Sequence, residues 1–369
     1  MAEKMGINHI QARHFEYRNK LLQQLLAVVP GSKSFPKEST LINLANGTLE
    51  IDEENIKLRP FSKDDFITYK LPFIYDPLAD APMFKKYLNR VLPQQELQDI
   101  LSEYLGYLFV PCNRMKMEKS MLLYGSGANG KSVLFDIINA LLGKENVSNF
   151  SLGKLTDRNG YYRAMIGDRL LNYSSEINSN LDPALFKQLV SGEPVEARLP
   201  YGKPFIIENY ARLMFNTNEL PRDVEHSHAY FRRFLIIPFE VIIPEAEQDH
   251  KLANKIIKSE LSGIMNWVIE GLRRLIKNES FTVSNIVEKE IEDYRRESDT
   301  CLLFIEHKNI VQDMVFHTSL QKLYDLYKQF CIENNYRPYS NRSFRKHLEN
   351  YGFQTYKAST GVMVCGGVK

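Results

Sequence analysis

Residues Gly125-Ser126-Gly127-Ala128-Asn129-Gly130-Lys131-Ser132 set three glycines, a lysine and a serine in the spacing G-x-x-x-x-G-K-S. Glycine lets successive backbone N–H groups turn inward around an anion, and a lysine at the end of such a turn can reach the β and γ phosphates of a nucleotide. The Ser132 hydroxyl can hold Mg²⁺. An apolar run, Met121 to Tyr124, enters the turn and the helix-like stretch Val133 to Leu142 leaves it. Strand, loop and helix in that order form an anion site at a helix N-terminus, so ATP with Mg²⁺ is the expected ligand. A glycine-rich turn that binds nothing is the alternative, and the flanking elements argue against it.

Phosphoryl transfer is mostly positioning and charge stabilisation, so such a loop needs a carboxylate at the end of a neighbouring strand. Glu176 meets that need, because Leu170 to Ser175 read as a strand that delivers it to the sheet edge. An exposed loop acid is the alternative. Leu213 to Pro221 is a second apolar strand that ends in amides, and Asn218 there can bond both an attacking water and a γ-phosphate. Taken alone, Asn-Glu-Leu-Pro is more often just a turn. Arg232 and Arg233 precede the strand Phe234 to Phe239, where paired arginines are usually solvated rim charges.

Two further segments pair cations with aromatic or apolar residues. Residues 193 to 207 read as a β-hairpin with Arg198, Tyr201 and Lys203 near its tip, a composition that suits the phosphates and stackable bases of single-stranded DNA. On pattern alone a plain surface hairpin is the stronger reading. Ser340 to Leu348 alternates an apolar face (Phe344, Leu348) with a basic one (Arg342, Arg345, Lys346). A DNA-recognition helix and a solvated helix face fit that pattern equally.

The elements that must position these residues follow from periodicity. Apolar spacing predicts a helix over 8–29, ended by Pro30 and Gly31. Thr40 to Ala45 and Thr48 to Ile51 flank Asn46-Gly47, a strong hairpin signal. Helices are expected at 82–92 and 95–108. The short branched runs Arg169 to Tyr173, Arg212 to Phe215 and Phe234 to Phe239 read as buried parallel strands. Strands alternating with helices imply an α/β sheet whose ligand sits at the carboxyl ends of the strands. From Gln248 to Glu297 the pattern is helical, with Leu261, Ile264, Met265, Val268, Leu272 and Leu275 on one face, as a lid packed on the core would need. Past Asp299 come helices at 318–333 and 340–350 and a hairpin over 352–368, the order of a winged helix. Three domains are expected: 1–95, 96–300 and 301–369.

Composition excludes several classes. With 369 residues, 44% hydrophobic and 25% charged, the chain is globular rather than disordered. No run approaches the length and apolarity of a membrane span, and no signal-peptide pattern opens the chain, so a cytoplasmic protein of a bacterial host is expected. Four scattered cysteines make neither a zinc finger nor a disulfide framework. The net charge of +2 hides a basic end: from Asn334 to Lys369 six Lys/Arg stand against the single acid Glu349, which points to a polyanion partner.

The assembled motifs resemble the helicase part of the phage and plasmid primase-helicases, superfamily 3 helicases within the AAA+ ATPases. The resemblance spans Leu44 to Leu49, Thr68 to Pro72 and Tyr75 to Pro77, then Gly125 to Ser132, Ser175-Glu176, Lys187 to Phe205, Asn216 to Pro221 and Phe231 to Phe239. It implies an AAA+ P-loop NTPase core with a small α+β N-terminal domain, a helical lid and a C-terminal winged helix. It also implies a hexameric ring that burns ATP and moves 3′ to 5′ along single-stranded or forked DNA, with a separate primase or polymerase as a further partner. Residue by residue, the loop 125–132 binds phosphate, Lys131 and Ser132 contact phosphate and metal, Glu176 polarises water, and Asn218 senses the γ-phosphate. Arg233, with Arg232 the alternative, reaches the neighbouring subunit's nucleotide, and Lys203, helped by Arg198, grips DNA. Ser175 stands where many ATPases carry a second acid, which leaves the Mg²⁺ ligands beyond Ser132 and Glu176 open. No primase-type acidic cluster or zinc ligands occur, so either the motor stands alone or a primase lies outside the chain. The first competing reading is an origin-binding initiator or loader that uses ATP only as an assembly switch, and the second is a structural scaffold whose ring forms without productive hydrolysis.

Overall fold

The computed structural model describes residues 39–369, apart from 54, 112–113, 176, 178–180, 222–223, 360 and 369, and residues 16–18, 20, 21 and 24 before them. These last are helical; the remainder of the helix expected over 8–29 lies outside the described residues. Residues 39–369 form one compact unit.

That unit opens with a three-stranded antiparallel sheet, β1 (Thr40–Leu44), β2 (Gly47–Ile51) and β3 (Ile56–Arg59). The hairpin sits one residue earlier than its sequence signal, with Leu44 paired to Gly47 and Ala45-Asn46 as the turn. Two contacts explain the shift. Asn46 is committed to the chain at Tyr75, accepting from its N–H and donating to its carbonyl, both at 2.9 Å. Gly47 at φ +150° lies so near β3 that a Cβ would meet the Arg59 carbonyl oxygen at 2.5 Å.

The centre is a five-stranded parallel sheet built from β4 (Ser120–Tyr124), β5 (Val147–Ser148), β6 (Leu171–Ser174), β9 (Arg212–Thr217) and β10 (Phe234–Pro238), in the spatial order β10-β4-β9-β6-β5. Between β6 and β9 the short strands β7 (Val195–Arg198) and β8 (Pro204–Ile207) form a separate antiparallel hairpin. Strand side chains alternate between faces, and the core divides accordingly. Met121, Leu123, Tyr173, Met214, Leu235 and Ile237 join one hydrophobic cluster. Leu122, Leu213, Phe215, Phe234 and Ile236 join the other. The first face is covered by the helix Lys131–Leu142 and by the helices Pro82–Val91, Gln95–Tyr107 and Leu261–Asn278; the second by the helix Pro183–Ser191 together with Tyr230, Phe231 and Tyr294. A parallel sheet buried on both faces by helices is the α/β architecture of a P-loop NTPase core.

Packing does not break at residue 95. Ile42, Leu44, Leu49 and Ile51 of the first sheet share the cluster that holds the sheet's Met121 and Leu123. The helices Gln95–Tyr107 and Leu261–Asn278 meet backbone to backbone. A Cβ at Gly271 would lie 2.4 Å from the Ser102 carbonyl carbon, and one at Gly106 would lie 2.6 Å from Leu272 Cβ. Glu103, buried beside this seam, is held by Arg274 Nε at 2.6 Å and accepts from the Thr282 N–H at 2.8 Å. Gly271→Ala is therefore expected to destabilise the protein by about 1–3 kcal/mol, despite the ~1 kcal/mol helix-propensity gain of alanine. Gly127→Ala, where a Cβ would meet nothing within 4 Å, is the control. Equal denaturation midpoints for the two variants would sink the close-contact account.

The last segment has its own core of Cys301, Phe304, Leu323, Tyr327, Phe344, Leu348 and Val364. It runs as the helix Thr300–His307, strand β11 (Ile310–Ser319), the helices Leu320–Glu333 and Asn341–Asn350, and the hairpin β12 (Thr355–Ala358) and β13 (Gly361–Val368), the strands ordered β11-β13-β12. The helix, helix, hairpin order matches the expectation; β11 and the helix before it are additions. Among the described residues no helix is long and apolar enough to cross a membrane.

Candidate functional site

Strand β4 ends at Tyr124 and the glycine-rich loop fills the gap before the helix Lys131–Leu142. Three features shape that loop. Gly125 stands at φ +150° where a Cβ would meet the Phe239 carbonyl oxygen at 2.3 Å, Ala128 takes φ +58°, and Gly130 at φ +89° begins the helix. No side chain caps this helix end. Its first N–H groups and the positive end of its dipole therefore face the loop, as a phosphate requires.

The loop is tied to its surroundings from three sides. Asn129 donates to the Phe239 carbonyl at 3.0 Å and also to the Ser126 carbonyl. Tyr87 donates its hydroxyl to the Gly130 carbonyl at 2.8 Å, and the Ile243 N–H donates to the Ala128 carbonyl at 2.8 Å. Sequence reasoning placed Asn129 in the loop but gave no role to Tyr87, which lies on a distant helix and carries no motif.

Lys131 is folded over this cradle. Its Nζ donates to the Gly125 carbonyl at 2.5 Å, the Ser126 carbonyl at 3.0 Å and Asn129 Oδ1 at 3.2 Å. Only 7% of the residue is exposed, and burial lowers its pKa to about 8. Among the described residues this ammonium, held by neutral carbonyls, meets no countercharge, so a phosphate is a partner that would complete it. The sign of the pH dependence follows. Between pH 8 and 10.5 the folded protein binds fewer protons at Lys131 than the unfolded chain does, so the stability of the nucleotide-free protein rises across that range. Nucleotide affinity moves the other way, because the cation is lost. For ATP bound as proposed below, affinity is expected to fall as pH rises from 8 to 10. Fluorescent-nucleotide titration checks this, and a flat profile would place the lysine's titration elsewhere.

Ser132 is exposed at the start of the helix, where its hydroxyl can serve a cation. Among the described residues no group of three His, Cys, Asp or Glu is placed to hold a metal ion. Ser132 is the described side chain that could hold Mg²⁺ here, beside phosphate and water oxygens. Glu176 lies outside the described residues. Strand β6, which leads to it, ends at Ser174, opposite Phe215 of β9.

The strand next to the loop carries the amides. Thr217 pairs with Tyr124, so Asn218 stands exposed at the same sheet edge as the cradle. Asn216, two residues earlier, is buried and accepts from the Tyr173 hydroxyl at 2.8 Å, so its carbonyl oxygen is engaged in the sheet's interior.

The two arginines lie at the opposite edge. Phe234 pairs with Ser120, and the Ser120 N–H donates to the Arg233 carbonyl at 2.8 Å, which puts the pair at the start of β4 and β10. The structure gives the two different surroundings. Arg233 is only 8% exposed; it donates to the Ala229 carbonyl and, at 3.1 Å, to Ser191 Oγ. Arg232 is the outward one, with 49% of its side chain exposed, and its guanidinium meets Glu118 at 2.6 Å.

In the hairpin, Arg198 pairs with Pro204 and the exposed tip carries Leu199, Tyr201 and Lys203. Tyr201 takes φ +60° and is fully exposed, whereas Arg198 spans the turn by donating to the Gly202 carbonyl at 3.1 Å. Of the basic residues on the helix Asn341–Asn350, Arg342 and Lys346 are exposed. Arg345 bridges Glu349 and Thr355, both at 2.8 Å. The three therefore divide into two surface cations and one clamp between helix and hairpin.

Comparison with known proteins gives two family matches. The model described as "D5 N terminal like" covers residues 15–93, and one described as "Family of unknown function" covers residues 123–233, from the end of β4 through Arg233. A curated relative, "Putative helicase L207/L206" of Acanthamoeba polyphaga mimivirus, is 22% identical over 365 residues. That alignment covers 90% of this chain and 37% of the relative's length. Among solved structures, an A form apo structure of the NrS-1 C terminal region is 14% identical with a TM-score of 0.48, covering 96% of this chain and 90% of that one. A second apo structure of that region is 17% identical with a TM-score of 0.45, covering 95% and 90%. The D5-like match and the helicase relative support membership of the phage-type primase-helicase family, which the ordered motifs resemble.

Proposed function

We propose that this chain is the ATP-driven motor of a replicative DNA helicase of a phage, plasmid or other mobile element, working as a hexameric AAA+ ring that moves 3′ to 5′ on single-stranded DNA. The observation that carries this reading is the sheet's polarity. The phosphate cradle and Asn218 stand at one edge of β4 and β9, and the arginine pair stands at the other. Five residues of β10 at roughly 3.3 Å each separate those edges by about 16 Å, beyond the reach of an arginine side chain. Arg232 can serve phosphoryl transfer only at a neighbour's nucleotide, which makes activity a property of the assembly.

In this reading the loop and Lys131 bind the triphosphate, Ser132 contacts Mg²⁺, Glu176 orients water and Asn218 reports the γ-phosphate. Bound Mg²⁺ would neutralise charge developing on the phosphate oxygens. The hairpin tip enters the channel and holds the strand, with Tyr201 offering a stacking face and Lys203 a cation for the backbone. Arg342 and Lys346 present a second basic surface to DNA. The resemblance adds a separate primase or polymerase as partner.

The test is strand displacement on a forked duplex. Wild-type protein is expected to unwind it with ATP and to hydrolyse ATP faster with single-stranded DNA. DNA binding that depends on ATP but displaces no strand would favour the initiator or loader instead. The double variant Tyr201→Ala, Lys203→Ala should keep basal ATPase and lose unwinding, with single-strand affinity reduced roughly ten- to a hundredfold, the effect of removing about 1–3 kcal/mol of stacking. Normal unwinding in that variant would make the hairpin a plain surface feature.

A further inference from the structure

Glu118 is a residue that no motif marks. It lies two positions before β4, and its backbone takes φ +51°, a left-handed conformation costly for any residue but glycine. Its neighbours on both sides are pinned. The Met117 N–H donates to the Tyr107 hydroxyl at 3.1 Å, and Lys119 Nζ donates to the Arg232 carbonyl at 2.5 Å. Ser120 bonds the Arg233 carbonyl through both its N–H, at 2.8 Å, and its hydroxyl, at 3.1 Å. The segment 117–120 is thus clasped along the arginine pair, and the strained turn aims one carboxylate at both guanidinium groups. Glu118 Oε2 lies 2.6 Å from Arg232 Nη2 and 3.5 Å from Arg233 Nη2.

We infer that Glu118 is a latch on the arginine finger: it holds Arg232 within its own subunit until a neighbour's nucleotide phosphates take its place. This rests on the proposed role of Arg232 at a neighbouring ATP. Glu118 and Arg232 are 30% and 49% exposed, and a pair so open to water contributes little stability, so exchange costs little. A triphosphate offers more charge and a bidentate geometry that suits guanidinium, so it wins once a loaded neighbour is in place. Without nucleotide the carboxylate wins. The latch thereby ties assembly to ATP, because an empty neighbour gives Arg232 nothing to exchange for. Lys119, placed against the Arg232 carbonyl, adds a like charge beside the guanidinium and favours its keeping an anionic partner.

The test is Glu118→Gln, which keeps side-chain size and backbone strain and removes the charge. Two readouts are taken on the full chain: the protein concentration giving half-maximal ATPase, and the oligomer fraction by mass photometry with and without a non-hydrolysable ATP analogue. A latch predicts that Glu118→Gln lowers the half-maximal concentration about two- to fivefold, the range corresponding to ~0.5–1 kcal/mol for an exposed pair. It also predicts that the variant forms more oligomer at limiting analogue and no more than the wild type without nucleotide. Glu118→Gly, which relieves the left-handed strain as well, should match it in assembly while unfolding at a higher temperature. An unchanged or higher half-maximal concentration in both variants would overturn the latch. Arg232→Ala, measured beside Glu118→Gln, separates the two ideas. If Arg232→Ala alone leaves ATP turnover intact, the finger assignment fails. If Arg232→Ala abolishes turnover yet Glu118→Gln shifts no assembly, the latch alone fails.

Discussion

Lys131→Ala is expected to lower ATP turnover about a thousandfold and to abolish strand displacement while leaving the fold intact. The magnitude follows from what the side chain is asked to do. Removing a single preorganised donor from developing negative charge typically costs 10²–10³ in rate, and Lys131 supplies a full charge in a site that is nearly closed to water. The apo contacts sharpen the expectation. Its Nζ rests on three neutral oxygens of its own loop, so the burial cost of the cation is carried without an ionic partner. Truncation removes that cost, and the nucleotide-free variant should be as stable as the wild type or slightly more so. Loss of turnover with an unchanged or raised melting temperature would be the signature. A large loss of stability would make Lys131 a structural residue instead. Lys131→Arg is not a conservative control, because the planar guanidinium cannot reproduce a point charge held by converging carbonyls.

Much of this was legible because pattern and physics coincide at the sheet. Apolar runs bounded by polar turns gave the strands ending at Tyr124, Ser174, Thr217 and Pro238 to within two residues, since a doubly covered parallel strand has no polar face to confuse the pattern. The same logic fails where a strand is irregular. β11 carries a bulge between Gln312 and His317, with Asp313 accepting from the Val315 and Phe316 N–H groups, so its alternation is interrupted and no period emerges. The turn at Ala45-Asn46 was displaced because tertiary contacts at Tyr75 and Arg59 outweigh local turn preference. Site residues divide in the same way. The loop is a local motif and was read whole, whereas Tyr87 and Glu118 act through contacts with residues 43 and 114 positions away, a separation no window can see. Telling which of Arg232 and Arg233 is buried required knowing which side of the short helix His228–Phe231 faces Ser191, and adjacent residues of one type carry no such information.

Arg232→Ala is expected to leave nucleotide binding in place, to form rings at saturating protein, and to reduce ATP turnover by 10³ to 10⁵, roughly the contribution of an arginine supplied to a phosphoryl-transfer transition state. Arg233→Ala should differ in kind. Its guanidinium is buried against the Ala229 carbonyl and Ser191, so truncation removes contacts inside the subunit and should lower stability by about 1–3 kcal/mol. The two arginines are therefore separated by comparing turnover at equal folded fraction, with melting temperature measured alongside. Mixing tests whether Arg232 acts across the seam. Arg232→Ala subunits retain Glu176, and Glu176→Gln subunits retain the arginine, so each variant is inactive alone. A mixture contains junctions where an intact arginine faces an intact glutamate, and partial recovery of turnover is expected there. If Arg232 served its own subunit's nucleotide, no mixed junction could restore activity, because each chain would lack one of the two groups. Recovery with Arg233→Ala in place of Arg232→Ala, at matched stability, would hand the role to the buried arginine and require it to leave Ser191 on assembly.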